Sequence, residues 1–175
     1  ANALLKIIEE PNDNTFFILI HNSNENILST LKSRCLNFKI SLSFHEVLNI
    51  TNSLMNDNLF NLINIDLINY YKTPGEIIKL IDFAKEKKIN LNDFNLEDFL
   101  FFLIDNSHYK KNTFIKNILF DYIELYFLKK YKLTNANKSL LDIYHHFIDK
   151  IKNTKKFNLD EESLFMEFKL KLLNE

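Results

Sequence analysis

The sequence predicts a mainly α chain with a small α/β remnant at its start, and three observations predict it. From Ser43 onward apolar residues recur at three- and four-residue spacing, for example Phe114, Ile118, Tyr122, Leu125 and Leu128. The stretch Thr15-Phe16-Phe17-Ile18-Leu19-Ile20 is apolar on both faces, the pattern of a strand buried within a parallel sheet. Of the 175 residues, 46% are hydrophobic and 26% charged. That is too apolar for a disordered segment and enough for one or two cores.

The elements follow in order. Leu4, Leu5, Ile7 and Ile8 stripe a first short helix that Glu9-Glu10-Pro11 ends, because Pro removes a donor and pushes the preceding residue out of αR. Asn12-Asp13-Asn14 is turn chemistry, and the strand Thr15–Ile20 follows. His21-Asn22-Ser23-Asn24 is a loop at the strand's C-terminal end, the edge where open α/β sheets place ligands. Ile27 to Lys32 reads as a short helix, Ser33-Arg34-Cys35 as its end, and Leu36 to Ile40 as an alternating strand. Ser43, with Glu46 three residues on, spells a capping box for a helix running to Met55. A second helix is expected over Leu59 to Tyr71. Thr73 as cap and Pro74 in the first turn start a third, which runs to Lys87. Asn90-Leu91-Asn92-Asp93 is a linker, and four helices are expected near 95–106, 111–131, 136–153 and 159–173.

Composition excludes several functions. The longest uninterrupted apolar run is Phe99 to Ile104, far short of the ~20 residues of a membrane span. The single cysteine, Cys35, rules out an internal disulfide and a cysteine zinc site, and suits a reducing cytoplasm. The single glycine, Gly75, rules out a phosphate loop or dinucleotide fingerprint within these residues, each of which needs at least two. Arg34 is the single arginine, all other basic side chains being lysine. Drift toward AT-rich codons explains that bias. A surviving Arg then marks either a place where a planar fork matters or chance. The chain has no basic n-region and opens already in helical register, so we expect it to start inside a larger domain.

Three linked stretches resemble one family. They are Asn2-Ala3-Leu4-Leu5-Lys6-Ile7-Ile8-Glu9-Glu10-Pro11, then Thr15 with Phe17-Ile18-Leu19, then Leu28-Ser29-Thr30-Leu31-Lys32-Ser33-Arg34-Cys35. The pattern is similar to that of the AAA+ module of bacterial clamp loaders, the machines that open the sliding clamp for DNA polymerase III, and it covers residues 1–46 almost continuously. The resemblance implies the end of an AAA+ P-loop nucleotide-binding domain over 1–41, a three-helix lid over 42–89, and a helical collar, the oligomerisation domain, over 90–175. It also implies that the phosphate loop, the Walker B acids and the family's zinc module lie upstream of Ala1.

Two branches of the family share the pattern, the ATPase subunits gamma/tau and a non-hydrolysing branch. Thr73-Pro74-Gly75-Glu76-Ile77-Ile78-Lys79-Leu80 is similar to the non-hydrolysing branch, where ATPase subunits instead carry a sensor arginine. Glu76 would repel a triphosphate. The end of the chain, from Asn158 to Leu173, is similar to that branch's last collar helix. The resemblance therefore implies a subunit that does not hydrolyse ATP itself and helps load the clamp on primed DNA. A fragment of gamma/tau is the alternative. Implied partners are gamma/tau, the delta subunit and, through the assembly, the sliding clamp and primed DNA, with no membrane. No cofactor is expected within this chain, ATP being held by neighbours, and a cytoplasmic location is expected.

Arg34 is the principal site residue. In the family this arginine points at the ATP of the neighbouring subunit, which makes it an arginine finger in trans. Lys32 to Lys39 holds three basic residues and no acid, which suits an anionic ligand. Ser33 is expected to hydrogen-bond the turn and Cys35 to pack as a small buried apolar group. Asn22 stands where active relatives keep a polar sensor, but is read as an ordinary loop group, and Glu9-Glu10 as a helix end rather than a catalytic pair. Asp142 with His146, and His145 with Asp149, are spaced i, i+4 as metal ligands can be, yet read as a solvated face, so no metal is expected. The lysine groups around Lys110, Lys129 and Lys150 likewise read as solvated helix faces rather than a nucleic-acid surface.

Overall fold

A computed structural model describes residues 6–8, 10, 12–21, 27–68, 72–133 and 138–173. The chain divides into two units, Ala1–Ser41 and Leu42–Glu175.

In the first unit residues 6–8 are helical, and Glu10 N donates to Lys6 O at 3.0 Å. Leu4, Leu5, Glu9 and Pro11 lie outside the described residues. The turn at Asn12–Asn14 forms as its side chains suggest, with Asn14 at φ 61° and Thr15 N donating to Asn12 O. Helix α1 covers Ser29–Lys32. The two expected strands are a correction. Residues 15–20 and 36–40 run without strand structure, and the described residues contain no β-strand. A strand exists through its ladder, and among the described residues neither segment is paired in one. Phe16, Ile18, Ile20, Leu36, Phe38 and Ile40 are exposed.

The second unit is helical. Helix α2 (Phe44–Met55) starts at the expected capping box: Ser43 N donates to Glu46 Oε2 at 2.7 Å, and Glu46 N donates back to Ser43 Oγ. The single helix expected over 59–71 is instead broken. A 3₁₀ turn spans Leu59–Asn61 and a one-turn helix α3 spans Ile65–Ile68, with 69–71 outside the described residues. Asn side chains compete with the backbone here. Asn58 Oδ1 accepts from Phe60 N and Asn64 Oδ1 from Asp66 N, so each starts its own short turn. Helix α4 (Pro74–Lys87) starts at Thr73, and α5 (Leu96–Asp105) at Asn95. After a 3₁₀ turn at His108–Lys110 come α6 (Thr113–Leu133), α7 (Lys138–Phe157) and α8 (Glu161–Leu173).

Helix α6 is the centre of this unit. Ile115, Ile118, Leu119, Phe120, Tyr122, Ile123, Leu125, Tyr126 and Phe127 are buried, which surrounds its axis with apolar contacts, as a core helix requires. It packs against α5 and α7, while α8 packs on α5 and α7, and α2 packs on α4. Aromatic rings meet edge to face where three of these helices join, as in Phe127 with Phe168 and Phe147 with Phe168. The segment 90–93 is tied in: Leu91 is buried and bridges Ile63, and Asn92 Nδ2 donates to Asn61 O.

Glycine scarcity shows in the turns. Asn56, Lys88, Ser107 and Asn158 all take the left-handed conformation that glycine adopts without strain. At Lys88, Ile89 N reaches back to Ala84 O at 3.0 Å, closing α4. Among the described residues no helix is long and apolar enough to cross a membrane.

Candidate functional site: the Arg34 turn

Helix α1 is one turn long, and its C-terminal carbonyls need donors. The residues just past it supply them. Arg34 N donates to Leu31 O at 3.1 Å, and Ser33 Oγ donates to Thr30 O at 3.1 Å. Arg34 Nη1 donates to the same Thr30 carbonyl at 2.9 Å and lies 3.5 Å from Ser33 Oγ. A basic side chain hydrogen-bonded to the last carbonyls of a helix is a favourable cap. Asn37 Nδ2 closes the turn through Lys32 O and Cys35 O. Ser33 thus bonds the local turn, as its hydroxyl suggests.

Arg34, Lys32 and Lys39 are exposed. The turn therefore carries a planar cation beside two further cations, with no acid from 32 to 39. A guanidinium can bind a phosphoryl group or carboxylate through paired donors. Cys35 is free and half-buried, less covered than expected. Asn22 lies outside the described residues, and His21 is exposed.

The other sequence candidates are dispersed. Asp142, His145 and Asp149 are exposed on α7, while His146 Nε2 pairs with Glu167 Oε1 of α8 at 2.9 Å. Lys150 bonds the other oxygen of Glu167. Burial pushes the Glu167 carboxyl up, but the hydrogen bonds from Lys150 and His146 outweigh it, and the group ends below the usual range. Among the described residues no three His, Cys, Asp or Glu side chains converge as a metal would need. Some of these lysines pair with the protein's own acids: Lys110 with Glu162, Lys116 with Glu161 and Lys129 with Asp66.

Glu76 has a local role the sequence analysis passed over. Its carboxylate accepts from Thr73 N at 2.8 Å and from Thr73 Oγ1 at 2.9 Å, and Glu76 N donates to Thr73 Oγ1. Thr73-Pro74-Gly75-Glu76 is a second capping box, legible by the same rule that identified Ser43 and Glu46.

The chain resembles named proteins. A family model described as DNA polymerase III, delta subunit, matches residues 1–43. A protein named DNA polymerase III subunit delta' from Buchnera aphidicola subsp. Schizaphis graminum is 31% identical over 147 residues, which is 79% of this chain and 45% of that protein. The one from Buchnera aphidicola subsp. Acyrthosiphon pisum is 29% identical over 179 aligned positions, 87% of this chain and 49% of that protein. The one from Haemophilus influenzae is 45% identical over 47 residues, 27% of this chain and 14% of that protein. The chain spans about half the length of the two Buchnera relatives. No solved structure gives a significant match.

Proposed function

We propose, from the kinship of this chain to DNA polymerase III delta' subunits, that it is part of a non-hydrolysing subunit of the bacterial clamp loader. In this reading residues 1–41 end an AAA+ nucleotide-binding domain, 42–89 form its lid, and 90–175 form a collar that assembles with gamma/tau and delta subunits. The observation that carries the reading is an alignment to one such subunit over 79% of the chain. It reaches well beyond the segment 1–43 that the family model matches.

Arg34 is the residue through which the subunit acts. It lies one residue past the cap of α1, exposed, in a basic turn. When the neighbouring subunit's ATP approaches, the guanidinium exchanges its bond to Thr30 O for the γ-phosphoryl oxygens. There it neutralises the charge that develops as the terminal phosphoryl group leaves. A finger of this kind is worth ~10³–10⁵ in rate in GTPases. Ser33 holds the turn, and Lys32 and Lys39 raise the local positive potential. The chain itself supplies no phosphate loop.

The test is a reconstituted loader carrying Arg34→Lys in the full-length subunit. We expect DNA- and clamp-stimulated ATP turnover to fall by roughly 10²-fold or more while the assembly stays intact by sedimentation, because a point charge does not reproduce a forked contact. Turnover unchanged by lysine refutes the finger. An intact phosphate loop in the full-length subunit, with ATP hydrolysis by that subunit alone, refutes the non-hydrolysing reading and favours gamma/tau.

A further inference from the structure

Helix α6 makes three polar ties to residues 66–72, just ahead of α4. Tyr122 Oη donates to Leu67 O at 2.7 Å, Lys129 Nζ to Asp66 Oδ1 at 2.9 Å, and Lys72 Nζ to Asp121 Oδ2 at 2.7 Å. Lys72 stands apart from the other ties. Among the described residues it is the one charged residue that is buried. Its side chain is 4% exposed, whereas that of Asp121 is 36% exposed.

The surroundings of the ammonium are specific. It lies 5.3 Å from the centroid of the Tyr122 ring. Tyr122 is fully buried, and its phenol is pushed far up by that burial and further by the carboxylates of Asp121 and Glu76. The titratable groups around Lys72 are thus Asp121 and Tyr122 from α6 and Glu76 from α4, with the Asp66–Lys129 pair two turns farther along α6. Glu76 is committed to capping Thr73. The carboxylate in hydrogen-bond contact with the ammonium is that of Asp121.

The two partners are unequal. If Lys72 is removed, Asp121 turns its half-exposed carboxylate to water. If the charge of Asp121 is removed, an ammonium stays buried without compensation, which is the costly way to break such a pair. Lys72 directly precedes the cap residue Thr73. An ammonium drawn toward water pulls on the backbone beside the capping box, so the start of α4 is the local unit that loosens.

We propose that Lys72 and Asp121 form a charge lock that holds the start of α4 against α6, closed only while position 121 is negative. The lock is a conformational device of the second unit and holds independently of the clamp-loader reading. Asp121 is its exposed half, and loss of that charge releases the start of α4.

The test compares Asp121→Asn, Lys72→Met and the double variant Lys72→Met/Asp121→Asn in the 175-residue chain. Urea unfolding and hydrogen exchange of residues 74–87 are read at pH 7. At pH 7 we expect Asp121→Asn to raise the opening constant of α4 roughly 100-fold. Lys72→Met should raise it less than about 5-fold, and the double variant should lie close to Lys72→Met. The lock is wrong if Asp121→Asn is no worse than Lys72→Met, or if adding Lys72→Met fails to rescue it. Should Asp121→Asn not fold at pH 7, rescue by Lys72→Met decides alone.

Discussion

Phe16, Ile18 and Ile20 are 91%, 86% and 94% exposed, while Phe99, Phe147 and Phe168 are at 0%. Phe16 and Phe99 both come from strongly apolar stretches of one sequence. The difference lies in what each element needs. A helix closes its backbone hydrogen bonds within itself and then buries a stripe against neighbouring helices. A strand has no internal bonds and becomes an element only when another strand pairs with it. The second unit is built of helices and covers most of its large rings, Phe44, Phe60 and Phe157 excepted. The first holds two apolar segments whose ladder partners are absent from the described residues, and their side chains stay in water. Apolar content alone therefore does not predict burial; the element type decides whether a segment can be completed locally.

Hydrogen exchange should show the contrast at its largest. Amides of residues 15–20 and 36–40 should exchange near the unprotected rate, and those of α5 and α6 at least roughly 10³-fold more slowly. Equal protection of residues 15–20 and α6 in the monomeric chain would break the comparison. Phe99→Ala should cost about 3–5 kcal/mol of unfolding free energy. Phe16→Ala should change it by less than about 0.5 kcal/mol, although the same side chain is deleted. Urea denaturation measures both.

Smaller effects sharpen the account of the second unit. Lys88 closes α4 at φ 56°, so Lys88→Gly should stabilise the chain by about 1 kcal/mol, read as a rise in thermal midpoint. A lower midpoint would mean that the lysine side chain matters more than backbone strain. The smallest effect is a pH dependence at His108. The ring packs against Phe83 and Phe102, and its pKa is held below the ordinary value by burial first and by Lys87 second, with Glu86 opposing. The folded state thus takes up the proton less readily than the unfolded chain. Stability is fully present above about pH 6.5 and is lost as pH falls below it. His108→Phe should flatten that slope in urea midpoints taken at pH 7 and pH 5.5, and an unchanged slope would assign it to other groups.

Much of this protein was legible from residue order alone, because the causes were local. A capping box is four consecutive residues, so Ser43 with Glu46 located the start of α2, and Thr73 with Glu76 carried the same signal for α4. Periodicity placed the last four helices within a few residues of where they stand. The turn around Arg34 was readable because its hydrogen bonds span five residues or fewer.

What only the tertiary structure decided depends on groups far apart in the chain. Nothing local distinguishes Lys72 from the exposed lysines of this chain. Its burial follows from Asp121, 49 residues away, meeting its charge. His146 looked like half of an i, i+4 pair with Asp142, yet its partner is Glu167 on another helix. The segments at 15–20 and 36–40 carry a strand pattern, and whether a pattern becomes a strand rests on a ladder that no segment provides for itself. Local hydrogen bonds and side-chain period are written in adjacent residues. Burial, charge pairing and sheet formation are properties of the surfaces that distant residues bring together.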